Sequence, residues 1–413
     1  MEDNPFRVHG VVTDEFFTDR ASELGRILRT FSEPSSKLLV YGPRRMGKTS
    51  ALMQAIARHE QQGGIAFLAD VSTATTLVDI ANRILEAAGR ALGRRWRDSI
   101  GDFVSRIGVA LTLTPDPGTG LILPSLDLSL RSASLEDQRR SLAQTLDAVD
   151  AMAAHRQVGL GVVLDEFQEI GRFGGEAAEW HLRGIIQHHQ HVSYVLAGSQ
   201  AHIIERMLDT GRAFYGLADH LRFGPIDTDH MSRWIDDRLA GAGVRANAIG
   251  GLIVSAAGPR TRDIVLVARQ CHDNGMAAGE VVDGDVMPAI DDIVAAQGAL
   301  LESLWTGLTP LQQNVLRAVA GDSDGLTTAS SIRRYGLGST GSTANAARAL
   351  VGAGHLVKSG SRSGYGYDSP FLRRWVELTT LADVGQRVPQ PTTSRPPEPG
   401  AHGATTPGRT HDG

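Results

Sequence analysis

Apolar residues in this chain recur in two rhythms, and the alternation between them lays out the fold. Short, mostly apolar runs occupy 38–41, 64–71, 158–164, 191–198 and 220–226, and the run at 64–71 is apolar on both faces. Runs of that length and character suit strands buried in a parallel sheet. Between them the spacing changes to three and four. Leu24, Ile27, Leu28 and Phe31 share one helical face ahead of the first run, and further helices are expected from Ser50, over 76–96 and over 135–155. One stretch departs from this scheme. Over 107–130, Val109, Leu111 and Leu113, then Leu126, Leu128 and Leu130, alternate with small or polar residues around Pro115-Asp116-Pro117-Gly118-Thr119-Gly120. That pattern predicts a β-hairpin-like insertion.

Beyond 227 the strands stop. Met231, Trp234, Ile235 and Leu239 form one helical stripe, and Ile249, Leu252, Ile253 and Ala256 form another, so 228–300 is expected to be a helical lid. Over 301–380, helices marked by Leu308 to Val319, by 327–334 and by 343–353 precede Leu356-Val357-Lys358, a Gly/Ser turn and Tyr365-Gly366-Tyr367. Three short helices and a hairpin describe a winged helix-turn-helix. Residues 381–413 are rich in Pro, Thr and Gly without apolar periodicity, and are expected to be disordered. The α/β core is assigned to 1–227.

Composition narrows the partners. A net charge of −5 excludes an overall basic coat for nucleic acid. The region 306–376 runs against that balance: Arg317, Arg333, Arg334, Arg348, Lys358, Arg362, Arg373 and Arg374 outnumber Asp322, Asp324 and Asp368, leaving +5. The single Cys271 excludes an intramolecular disulfide framework and a cysteine-rich metal site. No leader pattern and no apolar run approaching a membrane span is found, so the expected compartment is the cytoplasm and no membrane partner is expected.

The chemistry concentrates where strand runs end. After the first, Gly42-Pro43-Arg44-Arg45-Met46-Gly47-Lys48-Thr49 leads into a helix opening at Ser50. The two glycines let consecutive backbone N–H groups wrap one anion, and the helix N-terminus adds its own donors and dipole. Lys48 supplies a charge for the outer phosphates, and the Thr49 hydroxyl suits Mg²⁺. Lysine occurs only at 37, 48 and 358 among 41 basic residues, so an arginine bias spared this position. The run at 158–164 ends in Asp165-Glu166: Asp165 is placed for the metal, and Glu166 is placed to orient an attacking water. Glu169 is the rival base. Ser199, after the fourth run, is placed to reach the γ-phosphate or to cap the next helix. His181, His188, His189 and His191 lack a carboxylate or cysteine at ligand spacing, and read as decoration of a helix face rather than a zinc site.

Taken together, residues 4–378 resemble the archaeal-type ATPase family of the AAA+/STAND class of P-loop NTPases. The matching stretches are Phe17-Thr18-Asp19-Arg20, the phosphate loop through Ser50, Val163-Leu164-Asp165-Glu166-Phe167-Gln168, Ala197-Gly198-Ser199-Gln200, Ala213-Phe214-Tyr215-Gly216 and Tyr367-Asp368-Ser369-Pro370-Phe371. The resemblance implies a three-layer α/β/α P-loop fold with strand order 5-1-4-3-2, followed by a lid and a winged helix. It implies ATP as substrate with Mg²⁺, Arg20 near the adenine, Ser199 as first sensor, and Arg260 or Arg262 as second sensor. Arg206 and Arg212 are candidates for an arginine finger reaching a neighbouring subunit of a homo-oligomer, or are ordinary surface.

Two functions are compatible with these motifs. In one, ATP hydrolysis is coupled to a winged helix that meets DNA through Arg348, Lys358 and Arg362, in a DNA-directed or regulatory role. In the other, the chain is a slow nucleotide-operated switch whose winged helix is a protein–protein or autoinhibitory module.

Overall fold

The computed structural model describes residues 4–92, 111–115 and 122–381, apart from Asn247, Ala277 and Asp322. The tail expected over 381–413 lies, from 382 on, outside the described residues, as do Val109, the hairpin's turn and Asp322. Two compact units are present, Met1–Ala295 and Ala296–Gly413.

The first unit is built on a parallel sheet. Its strands are β1 (Lys37–Tyr41), β2 (Ile65–Asp70) and, beyond an inserted hairpin of β3 (Leu111–Pro115) and β4 (Ile122–Leu126), β5 (Leu160–Asp165), β6 (Val192–Gly198) and β7 (Asp219–Arg222). They lie in the order β2-β5-β6-β1-β7, all parallel, as the resemblance implies. Alternation of side chains sorts the core into two layers. Leu38, Val40, Val163 and Val195 face α1 (Ala21–Ser32) and α2 (Lys48–Gln61). Leu39, Val162, Leu164 and Leu196 face α3 (Leu77–Leu92), α4 (Leu135–Arg156) and α5 (Glu176–Ile186). The inner strands β5 and β6 are buried along their whole length, which is why they read as nearly continuous apolar runs, with Ser193 the one polar residue inside β6.

The hairpin is antiparallel, with Leu111 opposite Leu126, and it hooks onto α3 where Asn82 Oδ1 accepts from Leu126 N at 2.6 Å. The strand alternation does not continue as far as the sequence suggests: Leu128 and Leu130 lie in a 3-10 turn, Leu128–Ser132. After α6 (Ala201–Met207) and β7 come α7 (Thr228–Gly241), α8 (Gly250–Ala257), α9 (Thr261–Gly275) and α10 (Val286–Ala296). Asp227 starts α7 by accepting from His230 N. A two-residue parallel bridge, β8 (Arg245–Ala246) with β9 (Glu280–Val281), ties this helical segment together and was not anticipated. Leu252 is exposed rather than part of the inner stripe, because Ile253 and Ala257 take the buried face of α8.

In the second unit, α11 (Gly298–Thr306), α12 (Pro310–Ala320), α13 (Ala329–Tyr335) and α14 (Thr340–Gly352) precede an antiparallel hairpin of β10 (Leu356–Lys358) and β11 (Tyr365–Tyr367), then α15 (Pro370–Thr380). Hydroxyl residues Thr309, Thr328, Ser339 and Ser369 cap four of these helices. Trp305 packs on Trp375 with ring centroids 5.6 Å apart, and Tyr367 Oη donates to the Leu316 carbonyl at 2.8 Å. This is the winged-helix arrangement with a flanking helix at each end. Among the described residues, no helix is long and apolar enough to cross a membrane.

Candidate active site

The carboxyl ends of β1, β5 and β6 meet at one edge of the sheet, where open parallel sheets bind ligands. Register brings them level: Tyr41 pairs with Gly198, and Leu164 with Leu196. At the end of β1 the backbone turns at Gly42, and a Cβ there would lie 2.3 Å from the Phe223 carbonyl oxygen. Only glycine fits so close an approach. Gly47 is needed for conformation instead, since it starts α2 in the left-handed region at φ +86°. Lys48, the first residue of α2, is buried, and its Nζ donates to the Gly42 and Pro43 carbonyls at 2.8 Å each. Burial pushes its pKa down to about 8, against the attraction of Glu166 and Asp165, while Arg260 and Arg44 add repulsion.

Asp165 ends β5, and its Oδ2 accepts from Thr49 Oγ1 at 2.7 Å. Burial raises its carboxyl above the ordinary range. Glu166 follows in the left-handed conformation at φ +56°, a costly one for a side chain with a Cβ and one that clusters at functional sites. Its Oε2 accepts from Ser199 Oγ at 2.7 Å and from Gln168 Nε2 at 2.5 Å, and Ser199 Oγ accepts in turn from Arg44 Nε at 3.2 Å. The phosphate loop, the Asp-Glu end and the tip of β6 are thus joined by side chains. Glu169 is not part of this cluster; it pairs with Arg172 at 2.8 Å. Ser199 caps no helix, since α6 begins after Gln200.

A cleft runs from these groups to an apolar end. Residues 4–18 act as a strap across it. Arg238 and Arg269 hold the carbonyls of Pro5 and Phe6, while Ser50 Oγ and Gln54 Oε1 accept from Val12 N and Asp14 N. Val8, Val12, Phe16, Phe17, Trp234 and Val265 line that end. No periodicity marks an irregular strap, so only its apolar residues ahead of α1 gave a hint.

The arginines divide. Arg20 is buried and donates to the Gly224 carbonyl at 2.7 Å and the Met46 carbonyl at 3.3 Å, beneath the loop at the cleft wall. Arg45 pairs with buried Asp263 at 3.5 Å, and its carbonyl accepts from Arg262 N at 3.2 Å, so the loop touches the start of α9. Arg262 lines the cleft; Arg260 is buried at the N-cap of α9, where burial lowers its pKa. Arg206 is exposed on α6, whereas Arg212 is held by Glu176 at 3.2 Å and buried Glu179 at 2.8 Å. Arg348, Lys358 and Arg362 are exposed in the second unit, with Arg362 paired to Asp324 at 3.1 Å. His189 is buried between Tyr194 Oη at 2.7 Å and Asp147 at 3.0 Å, and no metal-holding group of His, Cys, Asp or Glu occurs among the described residues.

Fold and site define a P-loop ATPase. The model of the ATPase domain predominantly from Archaea matches residues 17–237, and the chain belongs to that family. A Walker-type ATPase of Pyrococcus abyssi has the same fold: TM-score 0.60 and 16% identity, over 90% of this chain and 99% of that one. The ORC1 protein of Aeropyrum pernix, solved in complex with DNA, aligns with TM-score 0.47 and 17% identity over 89% and 94% of the two chains. Cdc6p of Pyrobaculum aerophilum aligns with TM-score 0.46 and 14% identity over 94% and 99%. No curated protein matches in sequence. The chain is an ATPase.

Proposed function

We propose that the site hydrolyses ATP with Glu166 as the base and that the nucleotide state acts on the winged-helix unit in a DNA-directed or regulatory role. Lys48 and the N–H groups of Arg44 to Ser50 bind the β- and γ-phosphates. Thr49 and Asp165 form an oxygen-only donor pair joined at 2.7 Å, which fits a magnesium ion. When bound, that ion would neutralise phosphate charge. Ser199 and Arg44 face the γ-phosphate, Arg262 contributes from α9, and Arg20 braces the loop from below. Glu166 orients a water whose oxygen bonds to the γ-phosphorus as the bond to the β–γ bridging oxygen breaks, and its carboxylate takes the proton, leaving ADP and phosphate.

The observation that carries this reading is the convergence of Lys48, Thr49, Asp165, Glu166 and Ser199 on one sheet edge. Glu166→Gln should bind an ATP analogue as the native chain does while kcat falls by about a hundredfold or more. Native turnover in that variant would refute the assignment.

A second reading of the winged helix rests on its own surface. The helix α14 presents Ala, Ser, Thr and Gly with Arg348 as its one cation, and Arg362 is paired to Asp324. Such a face suits a protein surface better than base edges. ATPase rates with and without duplex DNA separate the two: stimulation favours DNA, and an unchanged rate with no binding favours the switch.

A further inference from the structure

We infer that Gln168 is a positioning residue for hydrolysis, fixing the Glu166 carboxylate so that one oxygen is held and the other is left for water. The inference rests on the base assignment above and extends it to a residue whose side chain is hydrogen-bonded to Glu166.

Gln168 lies in the 3-10 turn after the strand end, Phe167–Phe173, and is buried at 4% exposure. Its Nε2 donates to Glu166 Oε2, the same oxygen that accepts from Ser199 Oγ. Turning the amide over would set two acceptors face to face, so the donor must point at the carboxylate. Two donors on Oε2 fix the plane of the carboxylate. Among the described residues, no side chain donates to Oε1, which stays available to accept the proton of water.

The cavity that holds Gln168 is shaped for it. A Cβ on Gly198 would lie 2.4 Å from Gln168 Oε1, so the glycine at the end of β6 leaves room for the amide. Burying an amide has a cost when one of its atoms lacks a partner, and Gln168 Oε1 is such an atom. A packing role would be met more cheaply by leucine or methionine at this size. The amide's one hydrogen bond, to Glu166, is what it supplies.

The experiment compares Gln168→Leu and Gln168→Glu with the native full-length chain, measuring kcat, KM and affinity for Mg²⁺ with a non-hydrolysable ATP analogue. Both variants keep the volume, and the second guards against a folding failure of the first. Expected are a fall in kcat of about tenfold or more and analogue affinity within about twofold of native. Adding Gln168→Leu to Glu166→Gln should then lower single-turnover rate by less than about twofold, because the group it positions is gone. A kcat within twofold of native in both variants overturns the inference, and so does a full additional loss in the Glu166→Gln background. Native turnover by Glu166→Gln would instead remove the base assignment itself.

Discussion

Burial of Lys48 makes nucleotide binding a proton-linked event. Its pKa is pushed down to about 8, so as pH rises from 7.5 to 9 the nucleotide-free protein loses the charge on Lys48. Bound phosphates place negative charge beside the same ammonium and should return it to its ordinary value of 10.5 or above. The sign follows: the bound state holds the proton more tightly, so binding takes up a proton and weakens as pH rises through about 8. Worked through, about 0.9 proton should be taken up per nucleotide at pH 9, and affinity should fall about eightfold between pH 7.5 and 9. Above pH 7.5 the nucleotide's own terminal phosphate, with its second pKa near 6, adds little to this. Calorimetric titration of an ATP analogue with Mg²⁺, in buffers of differing ionisation enthalpy, reads the proton count directly. Flat affinity with no proton uptake at pH 9 would refute the argument. The same depressed pKa bears on folding: charged Lys48 disfavours the native state below about pH 8, and this cost is relieved as pH rises toward 10.5.

Other consequences are as direct. Gly42→Ala drives a Cβ against the Phe223 carbonyl, and should lower stability by about 1–3 kcal/mol, with loss of analogue binding, read by urea unfolding and calorimetry. If Arg206 completes a neighbour's site, the rate per subunit rises with concentration, and mixing Arg206→Ala with Glu166→Gln subunits restores activity; a flat rate and no rescue leave a self-contained site. Arg212→Ala should lower Tm whatever its effect on turnover, because buried Glu179 loses its partner. If the winged helix meets DNA, Lys358→Ala should reduce the salt slope of binding by about one unit and Arg362→Ala by less, since Asp324 already holds Arg362.

The parallel sheet was legible because β5 and β6 are buried on both faces, which leaves mainly apolar residues at those positions, Ser193 and the terminal Asp165 apart. Lys48, Thr49, Asp165 and Glu166 were legible because their spacing relative to strand ends is set by backbone geometry within a few residues. What the sequence hid depends on contacts between distant segments. The strap over 4–18 has no period to detect, and it is held by Arg238, Arg269, Ser50 and Gln54. Leu252 fitted the helical spacing but α8 starts only at Gly250, so its phase could not be inferred from the pattern alone. Gln168 stood in a matched motif without a visible task, because its partner Glu166 faces it only once the backbone turns at φ +56°.

Arg20 gives the phosphate loop an unusual kind of portability problem. It holds the carbonyls of Met46 and Gly224 at once, while Gly42 lies against Phe223. The eight-residue loop is therefore one face of a joint whose other faces come from a helix start before it and from the chain leaving β7. Transplanting the loop into another scaffold would carry the motif without its support, and Gly42 and Met46 would lose the surfaces that set their path. The transferable unit is three short segments fitted together, with Arg20 as the pin.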